Sequence, residues 1–179
     1  WLAGLGNANA QGEYYLTDIF AMAADEGHPA LAVGCLSAGE ADGANDALQL
    51  AVLERRYQRR LAEALMREGV RFADPSRIDI RGTVSAGMDV EVDVDVVFEG
   101  RVVLHDGVRI GPFCRLKDVE LGAGTLVHAH CDFDGAVIGD GCTLGPYARL
   151  RPGTVLAESA HIGNFVEIKK SRLGKGSKA

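Results

Sequence analysis

Arg151 and Lys169 are the pair of residues in this sequence whose types and spacing most directly suggest chemistry. They are 18 residues apart. In a triangular solenoid with six-residue repeats, three repeats make one coil of about 18 residues, so the two residues would lie on adjacent coils. On adjacent strands, about 4.8 Å apart, two cations repel by roughly 1–3 kcal/mol. A phosphate between them would remove the repulsion, because it suits a planar guanidinium and a point-charge ammonium. The alternative is that both side chains splay apart into solvent.

His161 and Asn45 are two further candidates. His161 is either the general base that acyl transfer to an amine requires or an exposed or structural histidine at a turn. Asn45 either directs its carboxamide oxygen at a cation or a sugar nucleotide, or only caps the helix that follows it. The remaining histidines of the second half show no set of partners with metal-ligand spacing, so the sequence favours no histidine metal site.

The charge is uneven along the chain. The net charge is −6, which argues against a general nucleic-acid binder. Seven basic and two acidic residues nevertheless lie between positions 146 and 179, and this basic end indicates a local anion site. Within it, Arg149 and Glu167 are also 18 residues apart and are expected to form a supporting ion pair.

A six-residue apolar repeat defines the elements that must position these side chains. Thirteen of its sixteen steps are six residues long, and the steps 116–121, 133–138 and 168–173 are five. The shorter steps either trim a corner turn or mark an error of one residue in the assigned register. Neither a helix nor a simple strand keeps such a period on one face, whereas a parallel β-helix does. The predicted anchors are Ile80, Ala86, Val92, Phe98, Leu104, Ile110, Leu116, Leu121, Val127, Phe133, Ile138, Leu144, Leu150, Leu156, Ile162, Ile168 and Leu173.

The cysteines follow the same repeat. Cys114, Cys131 and Cys142 occupy its fifth, inward position and are expected to be small buried hydrophobic residues. The sequence contains neither a CxxC pair nor a signal peptide, nor an apolar run of membrane length. These features predict a cytoplasmic protein without a disulfide framework.

The first part of the chain has a different pattern. Residues 1–44 are interpreted as the C-terminal part of an α/β domain, with a helix over Tyr14–Glu26 and a short buried strand over Ala30–Val33. The chain starts with Trp and stops inside a repeat, so we expect a piece of a longer protein.

A long helix is predicted next, over Asp46–Glu68, within a linker assigned to residues 45–69. It would span roughly 34 Å and lead into a β-helix over residues 70–179. Its one apolar stripe comprises Leu50, Leu53, Tyr57, Leu61 and Ala64 or Leu65, and arginines dominate the opposite face. Asn45 or Asp46 is expected to cap the helix and Gly69 to end it.

Several segments resemble, in order and along essentially the whole chain, one family of bifunctional bacterial enzymes. That family combines an N-acetylglucosamine-1-phosphate uridylyltransferase with a glucosamine-1-phosphate N-acetyltransferase. The segments that carry the resemblance are 11–18 (QGEYYLTD), 43–46 (GAND), 48–55 (LQLAVLER), 145–152 (GPYARLRP), 161–170 (HIGNFVEIKK) and 173–179 (LGKGSKA).

The resemblance implies a mainly β fold. A Rossmann-like nucleotidyltransferase remnant and a linker helix would precede a left-handed parallel β-helix that forms a homotrimer. The implied reactions are acetyl transfer from acetyl-CoA to glucosamine 1-phosphate and uridylyl transfer from UTP to N-acetylglucosamine 1-phosphate with Mg²⁺. Asn45 matches the asparagine that binds Mg²⁺ and the sugar nucleotide, and Arg151 and Lys169 match the basic pair that binds the sugar phosphate. Neither nucleic acid nor membrane is an expected partner.

The chain departs from the family at its ends. The Gly-rich nucleotide loop would precede Trp1, and the catalytic histidine would follow Ala179, so His161 is not that residue. We therefore expect no catalytic residue within this chain, and no activity from it alone. Two alternatives stay open: another sugar-phosphate nucleotidyltransferase with a β-helix tail, and a non-catalytic trimeric β-helix scaffold.

Overall fold

The first of two units comprises residues 1–43 and contains little regular structure. The computed structural model describes residues 1–35 and 38–179, and the second unit comprises residues 44–179. In the first unit, helix α1 spans Asp18–Asp25, and short 3₁₀ turns lie at Leu2–Gly4 and Ala38–Glu40. Ala23 is the one buried residue among those described in this unit.

Two predictions for this unit need correction. The helix expected over Tyr14–Glu26 begins four residues later, at Asp18. The strand expected over Ala30–Val33 is wrong, because this segment forms no strand and Leu31 and Val33 are more than four-fifths exposed. A short apolar run becomes a strand only where a neighbouring strand pairs with it, and the described residues supply none.

Helix α2 spans Ala47–Arg67, close to the predicted bounds. Asp46 caps it, since its Oδ1 accepts a hydrogen bond from the Gln49 N–H at 2.7 Å. Gly69 follows the helix with φ of 107°, a left-handed conformation that glycine adopts readily. Among the described residues, no helix is both long and apolar enough to cross a membrane.

The face through which α2 packs shares only the C-terminal part of the predicted stripe, where Leu65 is buried and the half-buried Leu61 packs on the core. Gln58, Ala62 and Leu65 are its buried residues, whereas Leu50 is 61% and Tyr57 48% exposed. Gln58 is buried because its carboxamide forms hydrogen bonds with a backbone. Its Nε2 donates to the carbonyl oxygen of Ile80 at 3.0 Å and its Oε1 accepts from the Ile80 N–H at 2.6 Å. Periodicity of apolar residues could not predict a buried amide.

Residues 71–173 form a parallel β-helix of three faces, which confirms the predicted fold. Face 1 comprises β1 (Arg71–Phe72), β3 (Glu91–Val92), β5 (Arg109–Ile110), β8 (Leu126–Val127), β11 (Thr143–Leu144) and β14 (His161–Ile162). Face 2 comprises the first parts of β2 (Ile78–Ala86) and β4 (Val96–Leu104), then β6 (Arg115–Lys117), β9 (Asp132–Asp134), β12 (Arg149–Leu150) and β15 (Glu167–Ile168). Face 3 comprises the last parts of β2 and β4, then β7 (Glu120–Leu121), β10 (Ala136–Ile138), β13 (Thr154–Leu156) and β16 (Arg172–Leu173).

The predicted anchors build the core of this β-helix. Fifteen of the seventeen are buried, and Ala86 and Leu173 are half-buried. The three five-residue steps all fall at the corner between faces 2 and 3, which confirms that they trim a turn. Cys114, Cys131 and Cys142 are buried, as predicted.

Aromatic rings stack along the corner between faces 1 and 2. Each ring residue has a positive φ near 60°, and successive ring centroids are 4.8–5.0 Å apart. The members are Phe113, His130, Tyr147 and Phe165. This spacing matches the rise between coils, so the stack links four consecutive coils on the outside of the fold.

Candidate functional site

A column of charged side chains runs along face 2, with one residue on each successive coil. Pairing is in register from Arg81 to Glu99, from Glu99 to Lys117 and from Lys117 to Asp134. We call the whole set the charge column: Arg81, Glu99, Lys117, Asp134, Arg151 and Lys169.

The upper end of the charge column contains both predicted phosphate ligands. Leu150 pairs in register with Phe133 below and with Ile168 above. Arg151 and Lys169 each follow these paired residues directly, so they stand on adjacent coils of the same face. The structure therefore brings together the two cations that the 18-residue spacing predicted.

Signs alternate along the lower part of the column. Arg81 Nη1 lies 3.5 Å from Glu99 Oε1, and Lys117 Nζ lies 3.5 Å from Asp134 Oδ2. Opposite charges on neighbouring rungs stabilise a sheet, whereas like charges destabilise it. Within the column, Arg151 and Lys169 are the one neighbouring pair of like sign. A like-charge pair in an otherwise alternating ladder indicates a function other than stability.

The backbone under this pair is fixed by hydrogen bonds. The Arg151 N–H donates to the Ile168 carbonyl oxygen at 2.8 Å. The hydroxyl of Thr154, which is fully buried, lies 2.7 Å from the Arg151 carbonyl oxygen and 3.1 Å from that of Ile168. One hydroxyl thus links the backbones of the two coils at Arg151 and at Ile168, the residue before Lys169. Sequence reasoning missed Thr154, although a hydroxyl at the inward fifth position of the repeat signals such a contact.

Glu167 is a second residue that sequence reasoning did not assign to this site. Arg151 Nη1 donates to Glu167 Oε1 at 2.9 Å, and this hydrogen bond, with the charges of Arg149 and Lys169, holds the pKa of Glu167 below its ordinary value. The predicted ion pair between Arg149 and Glu167 is present only at 3.9 Å. A spacing of 16 residues, which is one coil less two, could have identified the diagonal contact to Arg151.

The site keeps an excess of positive charge. Lys169 is exposed, and its ammonium has no hydrogen-bond or ion-pair partner within residues 1–35 and 38–179. Arg151 is half-buried and has several donors beyond the one that Glu167 accepts. Two cations and one carboxylate can bind an anion with charge-assisted hydrogen bonds.

Asn45 lies elsewhere, directly before α2. Asp46 caps the helix, so the capping interpretation of Asn45 is excluded. The Asn45 backbone N–H donates to Gln49 Oε1 at 2.7 Å, and its exposed carboxamide has no partner among the described residues. Helix α2 packs on β1, β2 and the turn between them, so the structure does not place Asn45 with the coils that carry Arg151 and Lys169.

Asn45 can supply one oxygen ligand. Mg²⁺ prefers octahedral oxygen coordination and usually retains water and substrate phosphate oxygens. In the part of the chain that the structure describes, no group of three or more metal-ligating side chains occurs. The residues present therefore fit a single protein ligand within a set completed by other groups.

His161 is exposed in β14 on face 1, whereas Arg151 and Lys169 lie on face 2. The geometry therefore places this imidazole on a different face from the two cations and does not support its role as their general base.

In a comparison with known protein families, one family model matches slightly more than half of the chain. Residues 80–174 match the family described as the GMPPB C-terminal domain. Over all its residues, the chain is 62% identical to "Bifunctional protein GlmU" of Stenotrophomonas maltophilia (strain K279a) and 54% identical to the protein of that name in Xylella fastidiosa (strain 9a5c). It spans 39% of the length of each of these relatives.

A solved structure shares the fold. PerB from Caulobacter crescentus, in complex with CoA and GDP-perosamine, superposes with a TM-score of 0.57 at 20% identity, over 75% of this chain and 72% of that one. At this identity the similarity shows the β-helix architecture alone.

Proposed function

This chain belongs to the family of the GMPPB C-terminal domain, and we propose that it is an internal part of a bifunctional GlmU enzyme whose sugar-phosphate site includes Arg151 and Lys169. The relatives of that name cover every residue of the chain at 54–62% identity. The chain spans 39% of their length, so the two activities are proposed for the longer protein.

The longer protein would transfer an acetyl group from acetyl-CoA to glucosamine 1-phosphate. It would then transfer the uridylyl group of UTP to N-acetylglucosamine 1-phosphate, with release of pyrophosphate. In the first reaction, Arg151 and Lys169 hold the phosphate and so orient the amine that accepts the acetyl group. The CoA bound to PerB accords with this co-substrate. In the second reaction Asn45 would contribute one oxygen to Mg²⁺, which neutralises phosphate charge when bound.

The observation that carries the proposal is the like-charge pair at the top of the charge column. Two stacked cations with one carboxylate leave a surplus of positive charge, and a phosphate monoester supplies the missing negative charge. The other four residues of the column alternate in sign. Neither a stabilising row of ion pairs nor a solvated surface requires two cations beside each other.

Binding of glucosamine 1-phosphate to this chain tests the site, measured by isothermal titration calorimetry. Arg151→Ala should weaken binding about 10- to 100-fold, since a hydrogen bond to a charged group contributes roughly 1.5–3 kcal/mol. Lys117→Ala is the matched control: it removes a cation of the same column that already has an acidic partner, and should leave binding unchanged. Unchanged binding in Arg151→Ala would exclude this site.

The proposal also predicts how this chain behaves by itself and which state the longer protein adopts. We expect no release of the free CoA thiol when this chain is mixed with glucosamine 1-phosphate and acetyl-CoA, because the imidazole of His161 lies on a different face from the two cations. A homotrimer in the cytoplasm, with a left-handed coil, is the expected state of the longer protein. A non-catalytic trimeric scaffold would share the fold but not the phosphate dependence on Arg151. Another sugar-phosphate nucleotidyltransferase with a β-helix tail would not require the cation pair.

A further inference from the structure

Two of the buried cysteines lie on consecutive coils, at the corner between faces 1 and 2. Cys114 and Cys131 directly precede Arg115 and Asp132, which pair in register, and the Arg115 N–H donates to the Cys131 carbonyl oxygen at 2.9 Å. Neighbouring strands are about 4.8 Å apart, and a disulfide requires Cα atoms about 4.4–6.8 Å apart. The fold therefore holds these two backbones at a separation that a disulfide can span.

The two thiols also contact each other, and their surroundings make them unequal. The Cys114 S–H has two acceptors, the Cys131 sulfur and the His128 carbonyl oxygen, which lies 3.2 Å from the Cys114 sulfur. The hydrogen bond from Cys114 lowers the pKa of Cys131 against the effect of burial, and the backbone N–H groups of Ala148 and Tyr147 lower it further. The hydrogen bond to Cys131 and burial raise the pKa of Cys114. Since the thiolate is the nucleophile, Cys131 is the sulfur that attacks first.

The space around the pair admits a small reagent. A Cβ on Gly145 would lie 2.4 Å from the Cys131 sulfur, so the glycine leaves this position to the sulfur. Both cysteines line an open cavity of about 550 Å³, although neither is more than 2% exposed. A molecule the size of a peroxide can therefore approach the thiols from the cavity.

We propose that Cys114 and Cys131 form a peroxide-sensitive dithiol, which hydrogen peroxide converts into a disulfide between consecutive coils. The Cys131 thiolate attacks the peroxide, the O–O bond breaks, and one oxygen leaves as water once protonated while the other stays on sulfur as a sulfenic acid. The Cys114 sulfur then attacks the Cys131 sulfur, the S–O bond breaks, and the hydroxide leaves as water with the Cys114 proton. The two thiols lose two electrons, and the peroxide is reduced to two waters.

Cys142 is the matched control within the same fold. It is 1% exposed, as deeply buried as the pair, but its neighbours one coil below and one coil above are Thr125 and Ala160. It thus has burial without an adjacent thiol.

Peptide mapping tests whether the pair closes. The chain carries Cys35→Ser, which removes an exposed thiol, and is treated with hydrogen peroxide while folded. Remaining thiols are then blocked with N-ethylmaleimide in urea. Trypsin releases the two cysteines in separate peptides, 110–115 and 118–149, so only a disulfide keeps these peptides joined.

Two substitutions in this background separate the pair from the control. Cys142→Ala should still give the joined peptides, and Cys131→Ala should not. Alanine stands one coil above each site, at Ala160 and Ala148, so both variants should fold. Cys114 should lose its thiol at least about 10-fold faster when Cys131 is present than in Cys131→Ala, and dithiothreitol should restore it.

Three results would overturn the proposal. Cys114 could be oxidised at the same rate with and without Cys131. Cys131 could proceed to a sulfinic acid, which dithiothreitol does not reduce, while Cys114 keeps its thiol. Both thiols could survive a dose of peroxide that fully oxidises Cys35 in the unsubstituted chain. The test is independent of the phosphate site, because it measures no binding of sugar phosphate.

Discussion

The lower and upper parts of the charge column share a scaffold but differ in their charges: the lower residues alternate in sign, and the two upper residues are both positive. From Arg81 to Asp134 each charge faces an opposite charge on the next coil. At Arg151 and Lys169 the alternation stops, while the backbone pairing continues. The β-helix keeps its register whether or not a rung is neutralised, because its apolar core fixes the coils. The surface of the same column can therefore serve stability in one place and the proposed phosphate binding in another.

Reversing the sign of one rung should have the largest effect. Lys169→Glu extends the alternating pattern to the top of the column, and should reduce binding of glucosamine 1-phosphate by about 100-fold or more, because an attractive charge becomes a repulsive one. Lys169→Arg should retain binding. Calorimetric titration measures both, and tight binding by Lys169→Glu would contradict the difference between the two ends of the column.

Removing the hydroxyl that joins the upper coils should have the next largest effect. Thr154→Val deprives the Arg151 and Ile168 carbonyl oxygens of a donor and should lower the free energy of unfolding by about 1–2 kcal/mol. Urea denaturation measures this change.

A second buried threonine provides the control. Thr125 donates to the Gly139 carbonyl oxygen at 3.0 Å, away from the two cations, so Thr125→Val should cost similar stability. We expect only Thr154→Val to weaken sugar-phosphate binding as well. If both variants weaken it equally, Thr154 has no particular effect on the position of the cations.

The charge reversal should also stabilise the protein slightly. In the absence of phosphate, Lys169→Glu replaces a like-charge pair with an opposite pair at an exposed position, and should raise the free energy of unfolding by about 0.2–1 kcal/mol. Urea denaturation at low ionic strength measures the gain, which 1 M salt should remove. A loss of stability would mean that the two cations do not repel each other in the folded protein.

Acid should remove the smallest contribution, that of the Glu167 carboxylate, which accepts a hydrogen bond from Arg151. The pKa of Glu167 is lowered from its ordinary 4.5 in the folded protein, chiefly by the hydrogen bond from Arg151. A lowered folded-state pKa adds stability that is fully present above the unfolded value and is lost as the pH falls through the folded value. The difference in stability between wild type and Glu167→Gln should therefore be constant above about pH 5.5 and shrink below pH 4.5. A constant difference down to pH 2.5 would contradict the ion pair.

The repeat made the β-helix predictable because each coil obeys the same local rule. Apolar anchors at positions such as Phe98, Leu116 and Phe133 are buried as the six-residue period required. The same arithmetic placed Arg151 beside Lys169. Prediction failed where a residue depends on a partner outside the period. Ala30–Val33 has the composition of a strand, but the described residues supply no strand to pair with it. Gln58 is buried because its side chain forms two hydrogen bonds with the backbone of Ile80.

The 18-residue spacing also could not predict every contact in the site. Glu167 contacts Arg151 diagonally, so its role depends on side-chain length and direction as well as on register. For Asn45 the residues alone left helix capping and ligand binding both open, and the resemblance favoured Mg²⁺ and the sugar nucleotide. The domain bounds 1–44, 45–69 and 70–179 stay a prediction.

The hydrogen bonds of Gln58 to Ile80 bear on the addition of strands from other chains to the first coil. Strand β2 pairs with β4 on one side only, and an open strand edge is a template for strands of other chains. The Gln58 carboxamide presents a donor and an acceptor to Ile80 in the way a neighbouring peptide group would. Strand addition by another molecule at Ile80 would first have to displace α2, so this amide and its helix act as a lid against templated growth from the first coil.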